Sequence, residues 1–458
     1  MPAVPGLMEP TALEALLAPA HRALLAALVA AGADLRLALV GGALRDLLLH
    51  RLHRDPRRGI TDLDVVVEPR SGADGSGTDA QHPSAHQLAQ RLLAQLDPAL
   101  VVTCCFHGAY GTVELELKPA GSADPDGSEA ALLLDLATAR SEVYPAPAEN
   151  PQVRLAPLEA DLARRDFTVN AMALLLEPDG STVLLDPHGG LADLQARQLR
   201  LLHPDSLRDD PTRLLRAARY AARLGFRLEA SGLDQAQRTL ASWPWPWRPG
   251  DPSGQAPPAL GTRLRMELEL LLDREPWPQA LELLQCWGGL RLLDAGLQAD
   301  TGWLRRMRWG DRAGLPRMVT LLAGAADPLA LAERLQLPHR DQRLLRAWRH
   351  LQTGLEGLDP EACLAWSPST WTDWLEQWPQ AVEAVPLALA VGAGPRRPLL
   401  AWWLRWRFLD AGVQARDLLA QGFTPGPALG QRLRELRRQR VDQRPARASH
   451  GRSWRSAR

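Results

Sequence analysis

Ile60-Thr61-Asp62-Leu63-Asp64-Val65-Val66-Val67-Glu68 decides how the first half of the chain folds. Its run of β-branched residues predicts a strand. The period of two along a strand sends Asp62 and Asp64 to one face and Leu63 and Val65 to the other. Two carboxylates on one face offer oxygen ligands to a hard divalent cation such as Mg²⁺. Two such ions, bridged by shared carboxylates, stabilise both the attacking and the leaving oxygen of a phosphoryl transfer. A DxD pair also marks many ordinary exposed strand ends, so its neighbours decide between the readings.

Upstream, the buried strand LRLALV from Leu35 runs through Gly41-Gly42 into the helical pattern ALRDLLLHRL, which carries Arg45 and Asp46. Such a turn brings bare backbone N–H groups and a helix N-terminus to one point, where a triphosphate can sit. Its bland alternative is a tight strand-to-helix turn. Downstream, Asp135 stands inside the apolar strand LLLDLATAR, where an unpaired charge is costly, and it is the candidate for a third metal ligand. Its alternative is a strand-end carboxylate facing water. A glycine turn, a helix and a DxD strand in this order resemble the DNA polymerase β nucleotidyltransferase superfamily, in which a third strand supplies another carboxylate.

Length and composition fit this organisation. The 458 residues favour two to four packed units, with 46% hydrophobic and 23% charged residues. No apolar run approaches the roughly 18 residues of a membrane span, and the N-terminus lacks a secretory pattern, so a cytoplasmic protein with no membrane partner is expected. Cys104, Cys105, Cys286 and Cys363 form no CxxC pair, which argues against a zinc site or disulfide framework and predicts four buried thiols. Formal net charge is zero, yet Lys118 is the sole lysine, and Arg432 to Arg458 holds ten arginines against Glu435 and Asp442. That local excess is a candidate phosphate-binding tail.

Along the chain, residues 20–205 read as mixed α/β, with TVELELK and STVLLD as further strands and two exposed loops at 69–84 and 119–129. From Pro211 the pattern is helical, broken only at SWPWPWRPGDPSGQAPP between Leu240 and Leu260. Arginine interleaves with aromatics in WLRRMRW from Trp303 and WWLRWRF from Trp402, as in an RNA-binding surface, although Trp402 at helical spacing from Trp406 also suits a core.

Ala163-Arg164-Arg165-Asp166-Phe167-Thr168-Val169-Asn170-Ala171-Met172-Ala173 resembles the RRDFTxNAMA motif of the class II tRNA nucleotidyltransferase and poly(A) polymerase family. Gly41-Gly42-Ala43-Leu44-Arg45-Asp46, Asp62-Leu63-Asp64, the segment from Asp186 to Asp193, and Asp209-Asp210-Pro211-Thr212-Arg213 to Arg216 join it in family order. GTRLRMEL from Gly261 and GFTPGPALGQRLREL extend the likeness over nearly the whole chain.

The resemblance implies an α/β nucleotidyltransferase head with a polymerase β-like mixed sheet, followed by an all-α neck, body and tail. Its divisions are a lead at 1–19, a catalytic head at 20–205, a base-selecting neck at 206–275, a tRNA-binding body and tail at 276–430, and a basic extension at 431–458. It implies a two-metal Mg²⁺ site on Asp62, Asp64 and Asp135, triphosphate binding by Gly41, Gly42 and Arg45, and ribose binding by Arg165, Asp166 and Asn170. The alternative for Arg164 and Arg165 is a solvated basic pair.

In the family, the positions of Asp210 and Arg213 read the incoming base without a nucleic-acid template. A carboxylate accepts from the exocyclic amine of cytosine or adenine, and a guanidinium one helical turn on donates to the adjacent ring nitrogen. Uracil and guanine reverse both positions and are rejected at roughly 1 to 3 kcal/mol per unpaired group. Asp209, which stands where the family more often has Glu, and Arg216 and Arg219 support this site; Arg223 reads as the solvated end of the same stripe.

The implied activity is addition of C, C and A to tRNA 3′ ends from CTP and ATP. CC-adding and A-adding specialists share every motif. A bacterial poly(A) polymerase is disfavoured because its Gly-[RK]-Arg-Phe-[RK]-Leu segment is replaced here by VTCCFHGAYGTVELEL, and residues 141–162 match in length the family's flexible loop for switching from C to A. The longer HRLHRDPRRGIT stretch before Asp62 reads as an enlarged loop. A catalytically inactive RNA-binding protein is the reading from another class; intact carboxylates oppose it, and the second half holds no HD-phosphohydrolase ligand series. No residue pattern speaks to oligomeric state.

Overall fold

Strand-forming residues at 35–40 and 62–69 lie side by side in the computed structural model, which describes residues 17–56, 60, 62–70, 84–108, 111–118 and 131–443. After α1 (Pro19–Ala31), β1 (Leu35–Val40) turns directly into α2 (Gly41–His53), and β2 (Asp62–Pro69) runs back antiparallel to β1. Then come α3 (Ser84–Gln95), β3 (Val101–His107), β4 (Thr112–Leu117), β5 (Leu132–Thr138), β6 (Arg140–Val143), β7 (Gln152–Leu155), α4 (Leu158–Ala163), β8 (Ala173–Leu176) and β9 (Thr182–Leu185). Seven strands make one mixed sheet in the order β3-β4-β5-β2-β1-β8-β9, in which only β2 and β5 pair in parallel.

The pleat sorts residues as expected. Leu63, Val65 and Val67 are fully buried on one face, where Leu88 and Leu92 of α3 pack on the sheet with Leu134 and Leu136. On the opposite face Ala38, Val40, Val66, Ala173 and Leu175 form a smaller core with Leu158 and Leu162 of α4. That small core covers only part of the face, leaving the Asp62 end of β2 open.

Helices take over after α5 (Gly190–Gln195): α6 (Ser206–Asp209), α7 (Thr212–Leu224), α8 (Ala230–Ser242), α9 (Thr262–Arg274) and α10 (Trp277–Cys286). The expected break lies between α8 and α9. It is packed there by its tryptophans: Trp245 and Trp247 are buried, and the Trp245 Nε1–H donates to the Arg208 carbonyl at 2.9 Å. The chain divides into two compact units, Met1–Arg248 with Ala256–Leu292, and Pro249–Gln255 with Leu293–Arg458.

In the second unit the described regular elements are helices, and the helix His339–Glu356 packs on Ala381–Val391. Trp303, Arg306 and Trp402 are buried there, with the Arg306 guanidinium on Asp300 and on the carbonyls of Thr320 and Leu321. These three belong to the core, whereas Arg305 and Arg308 of the same stretch are exposed. In the helix Pro427–Asp442, Arg437, Arg438 and Arg440 pair with Glu376, Asp373 and Asp410.

Two expectations are corrected, and one strand is added. The cysteines are not buried: Cys105 and Cys286 are exposed and Cys104 and Cys363 half-buried, all free, because β3 is an edge strand and Cys286 ends a helix. Residues 141–162 are not one loop but a hairpin and a helix. VVTCCFH is an added strand. The loops expected at 69–84 and 119–129, the lead up to residue 16, positions 57–59 and 61, and the chain beyond 443 lie wholly or largely outside the described residues. No helix among the described residues is long and apolar enough to cross a membrane.

Candidate active site

The register of the sheet assembles the carboxylates. Val40 pairs with Asp64, Asp64 with Asp135, and Asp135 with Glu114, so one row crosses β1, β2, β5 and β4. Residues paired in register share a face, which puts Asp62, Asp64, Asp135 and the unforeseen Glu114 around one open cleft of about 870 Å³. Burial pushes the Asp64 carboxyl up, against the opposing pull of Arg165, and Asp62 adds to it. Burial, then the charges of Asp64, Glu114 and Asp62, pushes Asp135 up to about 6. Such like-charge crowding is what a cation relieves. Among the described residues, however, no three of these side chains converge closely enough to form a finished metal cage.

Gly41 is dictated by this row. It follows Val40, which pairs with Asp64; its φ is +73°, and a Cβ there would collide with the Asp64 carboxylate. The Gly42 N–H donates to that carboxylate. One turn on, the buried Arg45 donates to Asp46 at 2.8 Å and from Nη1 to Asn170 Oδ1 at 2.9 Å.

Asn170 links this helix to the segment that includes Arg165 and Asp166. Its Nδ2 donates to Asp166 Oδ1 at 3.0 Å, and Asp166 Oδ2 accepts from Arg216 Nε on α7 at 2.8 Å. Burial opposes ionisation of Asp166, but Arg216 and Asn170 outweigh it and hold the carboxyl below the usual range. Arg164 and Arg165 are not a solvated pair: both donate to Asp161, whose side chain has no exposed surface. Asp186 caps the backbone of Gly190 and Leu191, and Asp193 accepts from the Thr168 hydroxyl, which fastens the same segment from behind.

Asp210 and Arg213 face the same cleft, neither with an idle side chain. Asp210 Oδ1 accepts from the Thr212 N–H and hydroxyl, and its Oδ2 accepts from Arg263 of α9. Arg213 donates to the Ser206 hydroxyl and, at 3.1 Å, to the Arg164 carbonyl. Asp209 ends α6, and its carbonyl accepts from the N–H of Ala148 at the tip of the β6–β7 hairpin, at 3.1 Å. Tyr144 of that hairpin lines the cleft, its hydroxyl pushed up by burial.

Farther along α7, Arg216 and Arg219 share Glu267 of α9, and Arg219 and Arg223 share Glu275. Arg223 is therefore not a solvated end: it lines the cleft and its side chain is 32% exposed. Eight arginines line the same cleft as the carboxylate row. Sequence reasoning missed Glu114, Tyr144 and Asp161, and it set Arg263 and Glu267 on the neck helix without naming what they bind. The odd acids among strand and helix residues were the available signal; their partners lie too far along the chain to be inferred by spacing.

Comparison with known proteins shows likeness to nucleotidyltransferases. A family model described as the poly A polymerase head domain matches residues 105–200. The chain is 39% identical over 323 residues to a CC-adding tRNA nucleotidyltransferase of Deinococcus radiodurans, covering 69% of this chain and 71% of that protein. It is 31% identical over 340 residues to a multifunctional CCA protein of Halorhodospira halophila, covering 63% of this chain and 77% of the relative. A solved Thermotoga maritima CCA-adding enzyme complexed with tRNA superposes with a TM-score of 0.64 at 22% identity, covering 96% of each chain, and so shares the fold.

Proposed function

Since the chain belongs to the tRNA nucleotidyltransferase and poly(A) polymerase family, we propose that it adds C, C and A to tRNA 3′ ends from CTP and ATP, without a nucleic-acid template and in the cytoplasm. The tRNA 3′-hydroxyl attacks the α-phosphorus of the bound nucleotide, a new phosphodiester bond forms, and pyrophosphate leaves. The observation that carries the reading is the composition of the cleft: carboxylates in register on three adjacent strands share it with Asp210, Arg213 and the other arginines of its lining.

Asp62, Asp64 and Asp135 would hold Mg²⁺, and their crowding suits a divalent cation. The metal, when bound, neutralises charge on the transferring phosphoryl group. Gly41 and Gly42 let the backbone approach the triphosphate while Arg45 faces it. Arg165, Asp166 and Asn170 set the position of the ribose, and Asp210 and Arg213 read the base, supported by Asp209, Arg216 and Arg219. In this scheme the head (20–205) carries catalysis, the neck (206–275) base selection, the body and tail (276–430) tRNA binding, and the extension (431–458) phosphate contacts.

Full CCA addition is supported by the likeness to the multifunctional CCA protein. The likeness to a CC-adding enzyme favours a second reading, addition of the two cytidines alone. Replacing Asp62 and Asp64 together by Ala tests the site: extension of tRNA lacking its terminal nucleotides should vanish, and unchanged extension would remove these residues from the reaction.

A further inference from the structure

Arg213 is held by two neighbours on a single nitrogen. Its Nη1 donates to the Ser206 hydroxyl and lies 3.3 Å from Nε2 of His203, while its Nη2 donates to the Arg164 carbonyl at 3.1 Å. A guanidinium has only donors, so His203 Nε2 must accept in this contact, which requires the neutral ring with its proton on Nδ1. Three of the five guanidinium N–H groups are thereby engaged, and two are left to reach a base.

The segment that presents His203 is itself fixed. From α8, the buried Gln235 donates through Nε2 to the carbonyls of His203, at 3.0 Å, and of Pro204, and its Oε1 accepts from the Leu207 N–H at 3.1 Å. The Ser206 N–H donates to the His203 carbonyl at 3.2 Å. His203 and Ser206 thus reach Arg213 from one locked turn at the start of α6. The His203 side chain is only half-buried, so a proton can still reach it. Burial and then Arg213 on α7 resist its protonation, Asp209 of α6 and Asp205 favour it, and the resistance wins. The ring is therefore neutral at pH 7 and charges only below the ordinary histidine value near 6.5. An imidazolium has donors alone, so charging it sets donor against donor and cation against cation at Nη1.

On the reading that Arg213 recognises the base, we infer that His203 is a positioning residue for base selection, holding the Arg213 guanidinium through Nη1 only while its ring is neutral. Selectivity then falls on acidification. Weakening of metal binding at Asp135 and titration of the triphosphate act on every nucleotide alike, so they cancel in the ratio of the UTP and CTP dissociation constants.

The experiment measures binding of CTP and UTP to the full chain with Mg²⁺ between about pH 5.5 and 8, for wild type, His203→Gln, His203→Leu and Arg213→Ala, alongside thermal melts and extension of tRNA lacking CA. The wild-type preference for CTP should fall by roughly threefold to tenfold as the pH drops, the size of one lost hydrogen bond. His203→Leu should show the reduced preference at every pH. His203→Gln, whose carbonyl can accept from Nη1 without titrating, should restore the preference and abolish its pH dependence. A His203→Leu chain that keeps the wild-type ratio and profile, or that weakens CTP and UTP equally, would overturn the inference. If Arg213→Ala also loses its preference in that case, the base reading survives; an unaltered ratio in Arg213→Ala would remove both. A wild type with the expected ratios that extends no tRNA keeps the inference and removes the transferase reading.

Discussion

Asp210 meets the cleft already bound to Arg263: one oxygen takes the Thr212 N–H and hydroxyl, the other the Arg263 guanidinium. A carboxylate has about four lone-pair sites, so the second oxygen can accept from a base amine as well. Arg263 then acts as the brace that aims Asp210. Arg263→Ala should lower kcat/KM for CTP by roughly tenfold to a hundredfold and narrow the gap between CTP and UTP. Steady-state kinetics with each nucleotide checks this; unaltered selectivity would remove Arg263 from base reading.

Gly41→Ala tests the close approach of the glycine turn to the carboxylates. A side chain at φ +73° costs about 1 to 2 kcal/mol, and its Cβ would push on Asp64. Nucleotide addition should fall by roughly a hundredfold, since small misplacements of reacting groups have effects of that size. The melting temperature should move by only a few degrees. Full activity in Gly41→Ala would show that the Asp64 position is not critical.

Asp135, pushed up to about 6, gives a pH dependence with a definite sign. Divalent cations bind the ionised form, so metal affinity should fall as pH drops through about 6, by roughly tenfold per unit once the proton must be displaced. Stability of the metal-free chain runs the other way. A carboxyl raised by folding contributes stability that is complete below its unfolded value near 4 and lost as pH rises through about 6. Mg²⁺ titrations and metal-free melts between pH 4 and 8 report both trends, and Asp135→Asn should flatten each.

Asp166 joins α7 to the segment behind the cleft through Arg216 Nε and Asn170 Nδ2. Asp166→Ala leaves the buried Asn170 amide and the half-buried Arg216 Nε unmatched and should destabilise the chain by about 3 kcal/mol, the low end for a broken buried pair because Arg216 is partly solvated and keeps Glu267. The wild-type contribution is present above the ordinary carboxylate pKa near 4 and is lost on acidification, since folding lowers this group. Urea unfolding at pH 7 and pH 3 measures both.

Strands β1, β2 and β5 were legible because apolar residues alternate with, or run up to, a few acids whose face the pleat decides. The edge strand β3 was not, since VVTCCFH has neither a polar alternation nor a buried run, and most of its residues are exposed. Motif positions located the cleft residues but said nothing of their partners. The Asp210–Arg263 pair spans 53 residues and the Arg45–Asn170 bond 125, separations set by packing alone. The same ignorance made Arg223 look solvated and the cysteines look buried. In the second unit, Trp402 and Arg306 show how an aromatic–arginine stretch can be a packed core with its guanidinium turned onto backbone carbonyls.

The most direct measurement offers CTP, ATP, UTP and GTP singly, with Mg²⁺, to tRNA transcripts lacking CCA, lacking CA or lacking only A. CTP should extend the first by two nucleotides and the second by one, ATP should complete the third, and UTP and GTP should add nothing. Addition of C without A would replace full CCA synthesis by the two-cytidine reading, and no extension of any transcript would contradict the account altogether.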